Sequence, residues 1–395
     1  MSSAHDDRSA GRSASPADDS TLLAAARNRL EAGDAEGARG LLRKAAEASS
    51  LPAAVQLGIW ELLGLGGSRD VTAAAARLHD AADRGHVGAS TIFAQLIAAG
   101  AAGLRRDFPA AVSRLVQAAA SGDPRAAVQL ALLIPEDGGD PTERIALIQT
   151  AAAAGEPIAR AFAERWPGSR VNPRVDWQRL HERVALPHER PLPVREPQNE
   201  RPRITAARGL LTRDECYYIL LRGLPLLRPA RVFARDGSLA IDPMRSNDAA
   251  KLGLLEADVV VQSIDLRVAR LLGQPAENGE GFALLRYERG QQYLPHCDWI
   301  DPSPATSRAD LERWGQRIAT CVVYLNDTFA GGTTEFPRLG LSFRGGIGDA
   351  LSWENVQPGG DVDPMTLHAG RPPTAGVKFL LSKWMRSKNQ EGRDV

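Results

Sequence analysis

The chain has 395 residues, 43% of them hydrophobic, and carries 48 basic and 48 acidic side chains for a formal net charge of zero. The length allows two or three domains with real cores, and the charge balance removes any bulk electrostatic argument for a nucleic-acid or membrane partner. Three cysteines, Cys216, Cys297 and Cys321, stand at unpaired spacings, which argues against a disulfide framework and for a reducing, cytoplasmic setting. Residues 1–20, MSSAHDDRSAGRSASPADDS, are polar with no apolar core. They are expected to form a disordered tail, not a signal peptide or an anchor, and no apolar run in the chain reaches the length of a membrane span.

From Thr21 to Trp166 the composition turns to alanine-rich helix with an internal repeat. AAVQLG begins at Ala53, ASTIFA at Ala89 and AAVQLA at Ala126, and each is followed by a second helix ending in AADRG, AAASG or AAAAG, with glycines at 85, 122 and 155. Helix pairs at this period, with small residues where helices meet, predict an α-solenoid over 21–166. The segment resembles Sel1-like repeats, relatives of the tetratricopeptide repeat, and GDAEGARGLLRKAAEASS reads as an earlier, degenerate capping unit. Such arrays offer a concave surface to a protein or peptide. The plainer alternative is that the array packs on the rest of the chain and stabilises it.

Residues 167–202 hold seven prolines and many arginines, a composition that predicts a semi-rigid linker crossed by few contacts, with one small helix in VDWQRLHERVAL. The C-terminal part follows, over 203–388, with a short tail at 389–395.

Within that part, Phe282, Leu284, Arg286 and Tyr287 precede a break at Gly290, after which YLPHCDWID begins at Tyr293. The pattern reads as strand, turn, strand. Residues two apart on a strand share a face, so His296 and Asp298 project together. Alone, such a pair is more often a hydrogen-bonded or surface pair. With a further histidine it becomes a two-histidine, one-carboxylate set suited to non-haem Fe(II). Of seven histidines (5, 79, 86, 181, 188, 296 and 368), only His296 and His368 lie beyond residue 200, so a two-histidine site in this half must use both. A strand from Val377 to Trp384 would place Lys378, Leu380, Ser382 and Trp384 on one face, and a buried lysine is costly without a counter-charge such as the carboxylate of a bound organic acid.

The succession RYERGQQYLPHCDWID, QRIATCVVYLNDTFAGGTTEFP, GDALSWEN, DPMTLHAG and GVKFLLSKW, preceded by LLTRDECYYIL, MRSND and VVVQSIDLRVARLLG, resembles the prolyl 4-hydroxylase branch of the 2-oxoglutarate/Fe(II) dioxygenases. The resemblance implies an α+β chain, an α-solenoid followed by a double-stranded β-helix (jelly-roll) barrel with flanking helices. It implies His296, Asp298 and His368 as iron ligands, and Lys378, Tyr287 and Thr334 as residues that bind 2-oxoglutarate. Arg317, Tyr293 and Trp384 match positions near the target proline. Arg386 departs from the pattern, where the family often has histidine two residues after that tryptophan. The implied cofactors are Fe(II), 2-oxoglutarate and O2, with ascorbate as an auxiliary reductant. The implied reaction hydroxylates a prolyl residue of a protein or peptide, recruited by the repeats, with release of succinate and CO2. Plainer roles exist for several of these residues: Tyr287 and Trp384 as barrel core, Arg317 as a surface salt-bridge partner and Thr334 as a turn residue. Two other functions stay open, a hydroxylase of a small molecule or free amino acid and a repeat scaffold with an inactive barrel.

Overall fold

Alanine-rich segments of this period leave little side-chain bulk between helices, and the chain uses that to stack them. In the computed structural model, which describes residues 16–136, 141–166, 175–230, 232–233, 239–240 and 244–390, the helices before the linker are α1 (Pro16–Glu31), α2 (Ala35–Glu47), α3 (Leu51–Leu63), α4 (Val71–Asp83), α5 (Val87–Ala99), α6 (Phe108–Ala120), α7 (Pro124–Leu133), α8 (Thr142–Ala153) and α9 (Pro157–Arg165). Ala53, Ala74, Ala89, Ala111 and Ala126 are fully buried between them. Ser50, Asp70 and Asp107 cap α3, α4 and α6 by accepting from the amides of Ala53, Ala73 and Ala110, which satisfies donors that a helix start leaves open. Gly85, Gly122 and Gly155 end the second helix of each pair at φ of +90°, +95° and +92°, a region that favours glycine. Of the expected tail, residues 16–20 belong to α1, and 1–15 lie outside the described residues.

The remaining helices are α10 (Leu180–Arg183), α11 (Arg213–Gly223), α12 (Val259–Leu272) and α13 (Ala305–Trp314). The strands are β1 (Arg195–Asn199), β2 (Ile204–Ala207), β3 (Arg228–Pro229), β4 (Val232–Phe233), β5 (Leu239–Ala240), β6 (Asp248–Leu252), β7 (Phe282–Tyr287), β8 (Tyr293–His296), β9 (Arg317–Tyr324), β10 (Ala330–Gly331), β11 (Thr334–Phe336), β12 (Leu341–Phe343), β13 (Ala350–Glu354), β14 (His368–Gly370), β15 (Pro373–Ala375) and β16 (Lys378–Arg386). An eight-stranded sheet runs β1-β2-β13-β9-β16-β7-β6-β3, and a four-stranded sheet runs β12-β11-β14-β8. Every pairing is antiparallel in both.

Period-two alternation sends the two faces of the large sheet to different cores. Leu284, Cys321, Val323 and Leu381 pack with α11 and α12, while Leu285, Val322, Tyr324 and Leu380 pack with Phe336 and Phe343 of the small sheet. The result is the expected jelly roll with helices on one face.

The linker expectation needs correction. Residues 195–199 are strand β1, paired antiparallel with β2 across one register shift between Pro197 and Asn199, so the barrel begins inside the segment assigned to the linker. The helix expected in VDWQRLHERVAL shortens to the single turn α10, and residues 167–174 lie outside the described residues. Contacts across the boundary are many. Leu115, Leu130, Leu147 and Phe162 of the array share one continuous core with Val260, Ile264 and Leu284. The Gln129 side chain on α7 accepts from the Val259 amide at 3.1 Å, inside the first turn of α12. Asp214 on α11 binds Arg144 at 3.4 Å and Arg165 at 3.2 Å, both from the array. Arg190 donates to the Leu133 carbonyl at 3.1 Å and to Glu215 at 3.0 Å. The physical reason is that α12 buries residues around most of its circumference, Gln262, Ser263 and Arg267 among them, and the sheet covers only part of it. At the other end, Gln390 is buried and donates to the Trp314 carbonyl at 2.8 Å, so the expected tail holds at least one packed residue, with 391–395 outside the described residues.

Candidate active site

The two histidines meet because β8 and β14 pair with His296 opposite His368. Their rings lie 4.3 Å apart between centroids. The strand β8 stops at His296, so Asp298 reaches the same point from the bend that follows it, not from a continued strand as the spacing predicts. Its carboxylate oxygens lie 3.7 Å from His296 Nε2 and 3.6 Å from His368 Nε2. One ligand atom from each of the three falls within 4.8 Å of the others, a separation that fits a single metal ion.

The surroundings fix the orientation of each side chain. His296 Nδ1 lies 2.9 Å from the Leu294 carbonyl, and His368 Nδ1 lies 2.9 Å from the Thr366 carbonyl. A carbonyl only accepts, so both Nδ1 atoms carry the proton and both Nε2 lone pairs face the centre. Burial, reinforced by the neighbouring His368, pushes His296 down to about 3, which keeps that imidazole neutral, as a metal ligand must be. Burial opposes ionisation of Asp298, but the two imidazoles, Arg317 and the Thr320 hydroxyl together hold its carboxyl below the ordinary range. Thr320 donates to Asp298 at 2.8 Å and accepts from Asn355 at 2.9 Å. Replacing Thr320 by Val removes that orienting bond, and metal affinity is expected to fall about 10–100-fold, read by competition with a chelator.

Lys378 is fully buried, and its Nζ has no hydrogen-bond partner among the described residues. It sits 5.2 Å from the Tyr287 ring centre and 5.3 Å from that of Tyr324. Tyr324 in turn hydrogen-bonds Thr334 at 2.9 Å, while Tyr287 and Thr334 line the same cavity as the three metal-binding candidates. A Cβ at Gly332 would stand 3.3 Å from Lys378 Cδ, and one at Gly370 would stand 3.2 Å from Tyr287 Oη. Burial pushes Lys378 down to about 7. A buried amine with nothing to pair with, kept open by two glycines, fits a carboxylate ligand.

At the mouth, Tyr293 stacks on His296 with centroids 3.4 Å apart and planes at 13°. Trp384 lines the cavity. Arg317 lies behind it, its guanidinium 4.4 Å from the Trp384 ring centre and bidentate on Glu280 at 2.7 and 2.9 Å. It is therefore an ion-pair partner, as the plainer alternative had it, but a half-buried one on a buried glutamate next to the site. Sequence reasoning missed Thr320, Asn355, Glu280 and Arg245, whose guanidinium stacks 4.8 Å over Tyr293. Arg245 lies in the quoted MRSND stretch and carried a signal. The other three become visible only through long-range pairing.

This fold and donor set belong to a known class. The 2OG-Fe(II) oxygenase superfamily matches residues 282–386. Prolyl 4-hydroxylase 1 of Arabidopsis thaliana is 32% identical over 202 residues, covering 47% of this chain and 70% of that protein. The chain belongs to the prolyl 4-hydroxylase family of these oxygenases, whose reaction uses Fe(II), 2-oxoglutarate and O2. Among solved structures, a viral collagen prolyl hydroxylase from Paramecium Bursaria Chlorella virus-1 in complex with 2-oxoglutarate is 23% identical, over 47% of this chain and 96% of that one, with a TM-score of 0.36. A Sel1 repeat protein from Oxalobacter formigenes is 23% identical over 42% of this chain and 72% of that one, with a TM-score of 0.34.

Proposed function

We propose that the chain hydroxylates prolyl residues of a protein or peptide substrate at the expense of 2-oxoglutarate. The observation that carries the reading is a three-ligand cluster lining one cavity, with a buried, unpartnered lysine packed against Tyr287 of the same cavity's wall. His296, Asp298 and His368 hold Fe(II) through two imidazoles and one carboxylate. Lys378 takes the distal carboxylate of 2-oxoglutarate, with Tyr287 and Thr334 as its hydrogen-bonding neighbours. When bound, the iron and cosubstrate supply the oxidising chemistry. The protein's part is to orient and to exclude water. Tyr293 shields His296, Trp384 forms one wall, and Arg317 holds that wall from behind. Ascorbate is the reductant we assign for rescue of oxidised iron. We place the catalytic unit at residues 195–390, and the three free thiols support a cytoplasmic location. Among the described residues no helix is long and apolar enough to cross a membrane.

We further propose that the array contributes to substrate recruitment from surface that the barrel leaves uncovered. On α3, Gln56 occupies the repeat position of Gln129 and is exposed, whereas Gln129 is buried against α12. Succinate release from 2-oxoglutarate by the purified protein, stimulated by a proline-rich peptide and not by free amino acids, tests the main reading. Stimulation by a free amino acid alone would sink it.

Lys378 yields a prediction with two opposite signs. Lys378→Met keeps the volume but removes a buried amine that has no partner. Thermal stability of the free protein should hold or rise, while the dissociation constant for 2-oxoglutarate should increase by about 10²–10³-fold, the scale of truncating one side of a buried charge pair. The pH dependence follows from the lowered lysine. A carboxylate binds the ammonium form, which predominates only below about 7 in the free protein. Above that pH, binding must take up a proton, so affinity should weaken by up to tenfold per pH unit. Calorimetry in buffers of different ionisation enthalpy reads the proton directly, and no uptake at pH 8 would refute the assignment.

A further inference from the structure

Arg386 ends β16 and is fully buried. A guanidinium stays charged, so complete burial is tolerated only with its donors satisfied. All three nitrogens are used. Nε donates to Glu280 at 2.6 Å, Nη1 to the Gly315 carbonyl at 2.5 Å, and Nη2 to Asp310 at 2.9 Å. Glu280 is the same carboxylate that Arg317 grips with two bonds, and its own amide donates to the Trp384 carbonyl at 2.9 Å. Asp310 belongs to α13, which follows the bend that carries Asp298. One side chain therefore ties a surface helix to the carboxylate beneath the cavity wall. An imidazole has only two ring nitrogens, and no fork of the right length to hold both acids and the Gly315 carbonyl.

We propose that Arg386 is a positioning residue for the prolyl substrate: it fixes Glu280 and α13 together so that Trp384, backed by Arg317, is presented to the cavity in one arrangement. This rests on the prolyl reading above. Arg317, Arg386, Glu280 and Asp310 set two positive charges against two negative ones in one connected group. Neutralising Asp310 weakens the charge-assisted bond that ties α13 to Arg386, which loosens α13 and lets the Arg317–Trp384 wall shift. Arg386 bonds to neither the metal-binding candidates nor Lys378 and reaches Asp298 only through the charge of Arg317, so the larger effect should fall on the peptide and the smaller on the cosubstrate.

The test compares Arg386→His and Asp310→Asn in the full-length protein. The readouts are 2-oxoglutarate turnover without peptide, KM for 2-oxoglutarate, kcat/KM for a poly(Ala-Pro) peptide, and amide hydrogen exchange over residues 305–314. Asp310→Asn is expected to keep peptide-free turnover and its KM for 2-oxoglutarate, exchange faster in α13, and lose about tenfold in kcat/KM for the peptide. Arg386→His should lose more, up to about a hundredfold, the scale of a misplacement of about 1 Å at a reacting centre. If Arg386→His fails to fold, Asp310→Asn decides alone. Unchanged peptide kinetics in folded Asp310→Asn would overturn the proposal. So would a parallel rise of both KM values with a lowered melting temperature, which marks a purely structural role. Peptide-free turnover that no proline-rich peptide stimulates would instead overturn the prolyl reading and take this proposal with it.

Discussion

Replacing His296 or His368 by alanine is expected to abolish both iron binding and turnover, with no measurable succinate at limiting iron. The two rings are paired in register on neighbouring strands, and their outer nitrogens are held by backbone carbonyls at 2.9 Å. That scaffold positions each Nε2 without help from the metal, so the remaining pair keeps its place but supplies one donor too few for a facial site. The fold should survive, because Phe336 and Trp353 still pack around the gap at His368. The measurement is metal content after equilibrium with a chelator, together with 2-oxoglutarate turnover. Wild-type turnover in either variant would remove these histidines from the chemistry.

Removing the array is expected to cost the fold itself. A chain beginning at Arg195 keeps every strand of the barrel, and on the linker expectation it should be an independent enzyme. The structure says otherwise, because α5 and α7 cover α12, Gln129 caps its first turn, and Asp214 of α11 depends on two array arginines. Uncovering even four large apolar side chains costs roughly 6–12 kcal/mol at about 1.5–3 kcal/mol each. That is the scale of a whole domain's stability, about 5–15 kcal/mol. Losing the partners of Asp214 leaves a buried carboxylate without its two array arginines as well. The shortened chain should aggregate or bind a hydrophobic dye, and adding the array in trans as a separate polypeptide should restore solubility in proportion to its concentration. A soluble, cooperatively unfolding 195–390 fragment with normal 2-oxoglutarate turnover would show that the array is an accessory.

Sequence alone was enough for most of what rests on local period and residue chemistry, though not for the bend that carries Asp298 or the single turn α10. The repeat of small residues with glycine at 85, 122 and 155 marks the helix pairs, because each of those glycines makes a left-handed turn at the end of a second helix. Histidine scarcity leaves one pair beyond residue 200 to share a metal, and the alternation from Lys378 to Trp384 predicts one face, of which Leu380, Ser382 and Trp384 line the cavity and Lys378 lies buried beneath it. Tertiary structure decided what depends on partners far along the chain. Thr320 and Asn355 hold Asp298 from two other strands or their ends, and Glu280 joins Arg317 to Arg386 across separations no local pattern records. The boundary between array and barrel was the larger miss. Proline density limits the regular structure of the connecting backbone, but it says nothing about whether the surfaces on either side are apolar and complementary. That was settled by α12, whose buried residues run nearly all around its axis and so demand cover from the array on one side and the sheet on the other.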